Sequence, residues 1–224
     1  MDDAAILEEI PLFPLSNVVL FPGLRAPLHI FEPRYRAMTA DALAGERRIG
    51  MIAVRPEHAM EMEGEPPIFA VGCAGRIVAH EALADGRYNI VLLGEHRFRV
   101  VAELPRPPTR PYRVARVQRL DDACDPARAP RLAALRARVS QLFSELVRTL
   151  APARARQLSP DLLTEIDDAT FVNTLCQLLE LPPSEKQGLL EADGVPARYE
   201  GLAAVLHFRL AELAGRMGSA PTRH

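Results

Sequence analysis

The single lysine of this chain limits the chemistry that it can perform. Lys186 is the only lysine among 27 basic residues, and the rest are arginines, which do not lose their proton near neutral pH. A phosphate-binding loop places its lysine directly after a glycine at a helix start, whereas Lys186 follows Glu185. A serine–lysine dyad would also require Lys186, and the nearby Ser184 is positioned to cap a helix. The sequence therefore predicts neither ATP hydrolysis nor peptidase activity.

Other metal-binding or nucleophilic side chains show no catalytic spacing. Cys73, Cys124 and Cys176 lie far apart, and we interpret them as small core residues of a protein in a reducing compartment. Adjacent carboxylates at Asp121–Asp122 and Asp167–Asp168 precede predicted helices, where they favour helix N-termini. The histidines form no metal-binding motif; they are His29, His58, His80, His96, His207 and His224. We expect no catalytic residue, no metal and no cofactor.

Composition indicates an ordinary soluble protein. The 224 residues carry a net charge of −2, with 48% hydrophobic residues, so there is no global attraction to nucleic acid or to an anionic membrane. The acidic start lacks the positive charge of a signal peptide, and no apolar run reaches the roughly 18 residues of a membrane span. We expect a cytoplasmic protein that is a monomer or a weak homodimer.

The first half of the chain has the pattern of a sheet. Short runs alternate at period two between Pro and Gly signals. The predicted strands are Ile10–Phe13, Val18–Phe21, Ala26–Ile30, Ile49–Val54, Phe69–Ala79, Tyr88–Leu93 and Tyr112–Val117. Pro22-Gly23 suits a type II turn, Asp85-Gly86 a hairpin, and a helix from Pro33 ends at Gly45. In a further short run we expect Phe98 to face the core and Arg97 to face water.

The second half has helical periodicity. Asp125-Pro126 predicts a helix start, and apolar residues then recur at helical spacing as one buried stripe: Leu132, Leu135, Val139, Leu142, Leu146 and Leu150. Ser159-Pro160 begins another predicted helix, and Asp168 caps the next. Ser184 with Gln187 has the spacing of a capping box. The last helix spans Val195 to about Gly215, and a frayed tail follows it.

Three blocks near the start carry a family resemblance. They are Ile10-Pro11-Leu12-Phe13-Pro14-Leu15, Val18-Val19-Leu20-Phe21-Pro22-Gly23, and Pro27-Leu28-His29-Ile30-Phe31-Glu32-Pro33-Arg34-Tyr35. In this order they resemble the opening of the Lon protease amino-terminal domain, and cereblon-type proteins share a similar opening. Val71-Gly72-Cys73-Ala74-Gly75-Arg76-Ile77, Gly94-Glu95-His96-Arg97-Phe98 and Leu181-Pro182 extend the likeness over nearly the whole chain.

The resemblance implies an α+β fold and a role in substrate recognition. It implies a PUA-like bent β-barrel lobe with one short helix, at residues 1–120, followed by an α-helical bundle lobe at residues 121–224. Full-length members add an ATPase and a serine–lysine peptidase, for which this chain has no lysine to spare. In the opening blocks we expect Phe31 to pack and Arg34 to pair with a carboxylate.

Two features suggest binding. The loop from Pro56 to Pro67 contains Met60 and Met62, whose flexible side chains adapt to varied apolar partners, and the Phe21–Leu24 turn beside the sheet offers more apolar surface. We therefore expect unfolded or partly folded polypeptides to be contacted by Met60, Met62, Phe21 and Leu24. The protein would then act as an adaptor that presents them to separate proteolytic machinery.

The alternative is an RNA- or DNA-binding module that uses the PUA-like lobe or an arginine-rich helix face. That face contains Arg128, Arg131, Arg136, Arg138, Arg148, Arg154 and Arg156, with Glu145 as its one acid. The balanced overall charge argues against nucleic acid as the partner.

Overall fold

Six strands and five α-helices make up the described part of the chain. The computed structural model describes residues 7–62, 64–122, 129–152 and 165–218. The strands are β1 (Leu7–Leu15), β2 (Arg25–Ile30), β3 (Arg48–Val54), β4 (Ile68–Ala82), β5 (Tyr88–Glu103) and β6 (Val114–Leu120). The helices are α1 (Pro33–Ala44), α2 (Ala129–Leu150), α3 (Asp168–Leu178), α4 (Pro183–Glu191) and α5 (Gly194–Gly218). This confirms the predicted α+β class.

The chain divides into two compact units. The first is Met1–Asp121 together with Asn173–Glu191, and the second is Asp122–Val172 together with Ala192–His224. Residues 173–191, which the prediction placed in the helical lobe, thus group with the sheet. No helix among the described residues is long and apolar enough to cross a membrane.

The sheet closes on itself and leaves one strand outside the ring. Its order is β2-β5-β4-β3-β1-β6, and β5 also pairs with β6, so five strands form a closed ring. The first half of β5 pairs with β2 and the second half with β6. β2 pairs only with β5 among the described strands, which explains how it accommodates Pro27, since proline is tolerated at a sheet edge.

Two apolar clusters fill the first unit. One packs Tyr35 and Met38 of α1 against the sheet, and the other surrounds Phe98, as predicted. Gly72 lets β4 approach this ring closely, because a Cβ there would lie 2.5 Å from both the Met51 carbonyl oxygen and Phe98 Cζ. This part of the sheet is therefore densely packed.

The turn chemistry near the start is confirmed, but one predicted strand is wrong. Gly23 has φ 82° and the Leu24 amide donates to the Phe21 carbonyl at 3.3 Å, as a type II turn requires. Residues 18–21 are irregular rather than a strand. The apolar run misled the prediction, because Val19, Leu20 and Phe21 are all buried without pairing as a strand.

Polar side chains attach α4 and the part of α3 from Asn173 onward to the sheet, all within the first unit. Asn173 donates to the Pro22 carbonyl at 3.0 Å and Gln187 to the Val71 carbonyl at 2.9 Å. The predicted capping box is therefore wrong: α4 already begins at Pro183, and Gln187 bonds to β4. Arg97 is also not solvated; it is 3% exposed and donates to the Leu190 carbonyl at 2.9 Å near the α4 C-terminus.

The second unit contains the predicted amphipathic helix. The α2 face that includes Leu132, Val139 and Leu146 is buried, which confirms three of the six positions of the predicted stripe. Leu135 and Leu142 are only half-buried because, at 3.6 residues per turn, both lie at the edge of this face. Leu150 lies at the end of the helix and is exposed. The predicted starts at Asp125-Pro126 and Ser159-Pro160, and the tail after residue 218, lie outside the described residues.

The N-terminus of α3 is capped one residue earlier than predicted. The Thr170 amide donates to Asp167 Oδ1 at 2.9 Å, so Asp167 is the cap and Asp168 begins the helix. Burial opposes ionisation of Asp167, but hydrogen bonds from Thr170 outweigh it and lower the carboxyl pKa. The cap is thus a charged acceptor at the positive end of the helix dipole.

Candidate functional site

The outer face of strands β2, β5 and β4 forms an open groove. Its volume is about 510 Å³, and its lining is Pro27, Leu28, His29, Ala79, His80, Glu81, Asn89, Ile90 and Val91. Strand register brings these together: Pro27 lies opposite Val91, and His29 opposite Asn89. Ala79 pairs with Val91 from the other side, and Glu81 with Asn89. We call this surface the sheet groove.

A chain of hydrogen bonds crosses the groove through one row of side chains. Asn89 Nδ2 donates to Glu81 Oε2 at 2.9 Å, so its Oδ1 must accept from His29 Nδ1 at 2.8 Å. His29 Nδ1 then carries the proton, and Nε2 is the acceptor that faces Arg87 Nη1 at 3.4 Å. All donors point the same way, toward the Glu81 carboxylate. The relay holds Glu81 in a defined orientation on an otherwise apolar face.

The hairpin tip beside the groove carries a neutralised ion pair. Arg87 pairs with Asp85, and side-chain and backbone hydrogen bonds from Arg87 lower the pKa of Asp85 to about 2. Gly86, at φ 79°, supplies the left-handed residue of the predicted hairpin. Glu81 is therefore the carboxylate of this region that no described cation pairs with.

Phe31 lies in solvent at the end of β2, contrary to the prediction that it packs. Its side chain is 60% exposed, and its ring stacks on the His29 ring at 6.2 Å between centroids. Val78, at the bulge of β4 before Ala79, is also exposed. The family-like block thus contributes a surface aromatic residue next to the groove, and its burial could not be judged from the pattern.

The loop of residues 56–67, here the methionine loop, is held by arginines. Arg34 pairs with Glu32 at 2.9 Å, as predicted, and donates to the backbone carbonyls of Met62 and Gly64. Met60 is 96% exposed and Met62 is half-buried. The first turn of α1 therefore links this loop to Phe31, which lies three residues before Arg34.

The four predicted contact residues are not equivalent. Met60 is accessible, whereas Met62 and Leu24 are only partly exposed. Phe21 is fully buried and cannot contact a ligand in this conformation. The prediction missed His29, Glu81 and Asn89 as groove residues. The hairpin signal at Asp85-Gly86 could have paired Glu81 with Asn89, but nothing local in the sequence places β2 beside them.

Three arginines of α2 are engaged with acids or carbonyls in the second unit. Arg131 pairs with Glu200 at 2.5 Å, and Arg136 pairs with Asp168 at 2.9 Å while stacking over the Phe171 ring. Arg148 donates to the Ser144 carbonyl. Arg128, Arg154 and Arg156 lie outside the described residues. Arg138, the other described member of this face, is exposed, so the arginine-rich face is paired in part and is not an open cluster of cations.

The remaining candidates for chemistry are structural. Cys73 and Cys176 are fully buried, which confirms the core reading for those two, and Cys124 lies outside the described residues. Lys186 Nζ donates to the Gln177 carbonyl at 2.9 Å, and burial lowers its pKa despite nearby Cys176 and Glu180. Among the described residues, no group of three potential ligands could hold a metal ion.

Comparison with known proteins gives one consistent family. The chain is 27% identical to a Lon protease of Methylocella silvestris over 203 residues, 89% of this chain and 24% of the relative. It is 28% identical to a Lon protease of Anaeromyxobacter dehalogenans over 205 residues, 88% of this chain and 23% of the relative. The chain thus spans about a quarter of the length of the curated relatives that it matches.

Solved structures show the same fold. The N-terminal domain of a Mycobacterium avium complex Lon protease superposes with a TM-score of 0.70 at 18% identity, covering 89% of this chain and 98% of that one. A Lon N-terminal domain protein from Xanthomonas campestris gives 0.56 at 24% identity, covering 91% and 98%. The family model for the ATP-dependent protease La (LON) substrate-binding domain matches residues 9–207. The chain therefore belongs to the LON substrate-binding domain family.

Proposed function

We propose that this protein binds exposed apolar segments of other polypeptides at the sheet groove and beside Phe31 and Met60. One observation carries the proposal: a largely apolar groove adjoins the exposed ring of Phe31, which stacks on His29 of the groove lining, and Met60 is exposed as well. Phe31 is 60% exposed and Met60 is 96% exposed, and such patches mark interaction surfaces. Family membership supports substrate recognition as the use of that surface.

The proposed binding is broad and weak. Methionine re-packs around different partners because it is unbranched and flexible, which favours breadth over tightness. An unfolded segment also loses conformational entropy when it is held, so we expect a Kd of roughly micromolar order. Most of the interaction is apolar, so binding should persist in high salt.

The groove is tested with two matched alanine variants on β4. Ala79 lines the groove, and Ala70 is also exposed but lies near the other end of the strand. Ala79→Gln should weaken binding of a labelled unfolded peptide in fluorescence anisotropy, whereas Ala70→Gln should leave it unchanged. If no unfolded peptide binds at about 100 micromolar protein, the proposed function fails. If Ala79→Gln and Ala70→Gln bind the peptide with the same affinity, the binding site is not the sheet groove.

The proposal includes recognition without catalysis, as an adaptor for separate proteolytic machinery. The sole lysine is bonded to the Gln177 carbonyl, so it is not available to a serine nucleophile or a nucleotide phosphate. Purified protein should cleave no casein with ATP, and cleavage that Lys186→Ala abolishes would contradict this.

The adaptor role has its own test. The protein should accelerate degradation of unfolded casein by an ATP-dependent protease from the same cells, and Ala79→Gln should remove that effect. An unchanged rate with the wild-type protein would refute the adaptor role while leaving binding intact.

Nucleic-acid binding by α2 is not proposed, because Arg131 and Arg136 already have carboxylate partners. Phosphate contacts also produce a steep loss of affinity with salt, opposite to the behaviour expected for apolar burial. A salt titration with RNA therefore separates the two functions: sub-micromolar binding that weakens steeply and disappears in Arg131→Glu/Arg138→Glu would favour nucleic acid.

A further inference from the structure

We infer that the sheet groove selects apolar segments that carry a lysine or arginine, which Glu81 receives. This inference rests on the proposed function and names its substrate class more narrowly. Glu81 is the one carboxylate among the nine residues that line the groove, and the lining contains no lysine or arginine. The groove therefore carries the carboxylate of Glu81 on a largely apolar surface.

The relay leaves Glu81 with capacity to bind a ligand. Asn89 occupies Oε2 at 2.9 Å, and no described residue bonds Oε1. A carboxylate can accept about four hydrogen bonds, so Glu81, which lines the groove, keeps most of its acceptor capacity. His29 donates to Asn89, and Arg87 faces His29. Neither of these two side chains therefore donates to Glu81 Oε1.

The nearby arginine does not already fill this position. Arg87 pairs with Asp85, and Asp85 keeps its charge because the same arginine lowers its pKa to about 2. Arg87 and Asp85 thus offset each other, and Arg36 lies beside Gly86 at the same tip, whereas Glu81 is the one carboxylate within the groove lining itself. A cation on the bound segment would make a charge-assisted hydrogen bond with Oε1, while the neighbouring apolar residues cover Pro27, Ala79 and Val91.

The expected preference is modest because Glu81 is exposed. Exposed ion pairs change equilibrium constants by about two- to fivefold. The probes are three fluorescein-labelled peptides of the same apolar sequence with Lys, Gln or Glu at the central position. Wild-type protein should bind the Lys peptide about two- to fivefold more tightly than the Gln peptide, and the Glu peptide more weakly still. High salt should narrow these ratios without abolishing binding of the Gln peptide.

The deciding variant is Glu81→Gln, which removes the charge at an exposed position and should fold normally, as circular dichroism can verify. It should bind the Lys and Gln peptides equally. The matched control is Glu145→Gln, an exposed glutamate on α2 in the second unit, which should keep the wild-type order.

The outcomes separate this inference from the proposed function. If the Gln peptide binds wild-type protein but the Lys peptide binds no better, the charge preference is wrong and polypeptide binding stands. If the order persists in Glu81→Gln, another acid sets it and the assignment to Glu81 is wrong. If no peptide binds at about 100 micromolar protein, both proposals fail.

Discussion

Removing the exposed aromatic ring beside the groove should weaken polypeptide binding with a limited effect on folding. An aromatic side chain presents roughly 200 Å² of surface that can be buried, and Phe31 is 60% exposed, which leaves roughly 120 Å² for a ligand to cover. At about 25 cal/mol per Å², coverage of half to all of that surface contributes about 1.5–3 kcal/mol. Ordering of the bound segment offsets part of this, so Phe31→Ala should weaken binding roughly 5- to 30-fold.

The chain contains a matched control for this substitution. Phe208 on α5 is 61% exposed and belongs to the second unit. Phe208→Ala removes the same side chain at the same exposure, so both variants should lose a similar free energy of unfolding, at most about 2 kcal/mol. The assays are anisotropy with a labelled unfolded peptide and urea denaturation followed by circular dichroism.

The comparison is decisive because only the position differs. The reasoning is refuted if Phe31→Ala binds as tightly as the wild-type protein, or if Phe208→Ala loses as much affinity. Loss in both variants would indicate that the peptide follows general exposed apolar surface and not the sheet groove.

Three further predictions concern the support of the site and the second unit. Gly72→Ala should lower the free energy of unfolding by about 3 kcal/mol or more, since the added Cβ would overlap backbone and ring atoms. A Cβ at Gly188 would meet no atom within 4 Å, so Gly188→Ala should raise the free energy of unfolding by about 0.5–1 kcal/mol. Urea denaturation measures both variants, and equal effects would contradict the close packing at Gly72. Asp167→Ala should cost about 1 kcal/mol at neutral pH. The pKa of Asp167 in the folded protein lies below its ordinary value of 3.8, so the stabilisation is fully present above pH 3.8 and is lost as pH falls through the folded pKa. The unfolding free energies of the wild-type protein and Asp167→Ala should therefore converge in acid. A difference between them that does not change with pH would show that the charge of Asp167 plays no part. Leu146→Ala should cost about 2–5 kcal/mol through a buried cavity, and half-buried Leu142→Ala clearly less, with the reverse order counting against the observed helix face.

Part of the candidate site could be anticipated from residues alone. Met60 was expected to contact polypeptides because its flexible thioether side chain adapts to varied apolar partners, and it is exposed. The groove as a whole could not be anticipated, because β2 pairs with β5 although the two strands lie far apart in the sequence. His29 meets Asn89 across 60 residues, so their relay exists only after the strands pair.

Local chemistry determined two turns and the start of α1 in the first unit. Gly23 and Gly86 adopt positive φ angles, and Pro33 begins α1, because these residues restrict or extend the backbone by themselves. The periodicity of apolar residues along the sequence also predicted α2 and most strands of the sheet. The order of the sequence blocks near the start also indicated the family without the structure.

Tertiary structure alone decided which side chains are buried and what the polar ones do. Phe21 and Phe31 lie in the same family-like stretch, yet the first is fully buried and the second is in solvent. Arg97 and Gln187 have surface-type side chains but bind carbonyl groups on other elements of the first unit. Burial depends on what packs over a residue from distant parts of the chain, and a buried polar group takes whatever partner that packing supplies. Neither is encoded within the few residues around it.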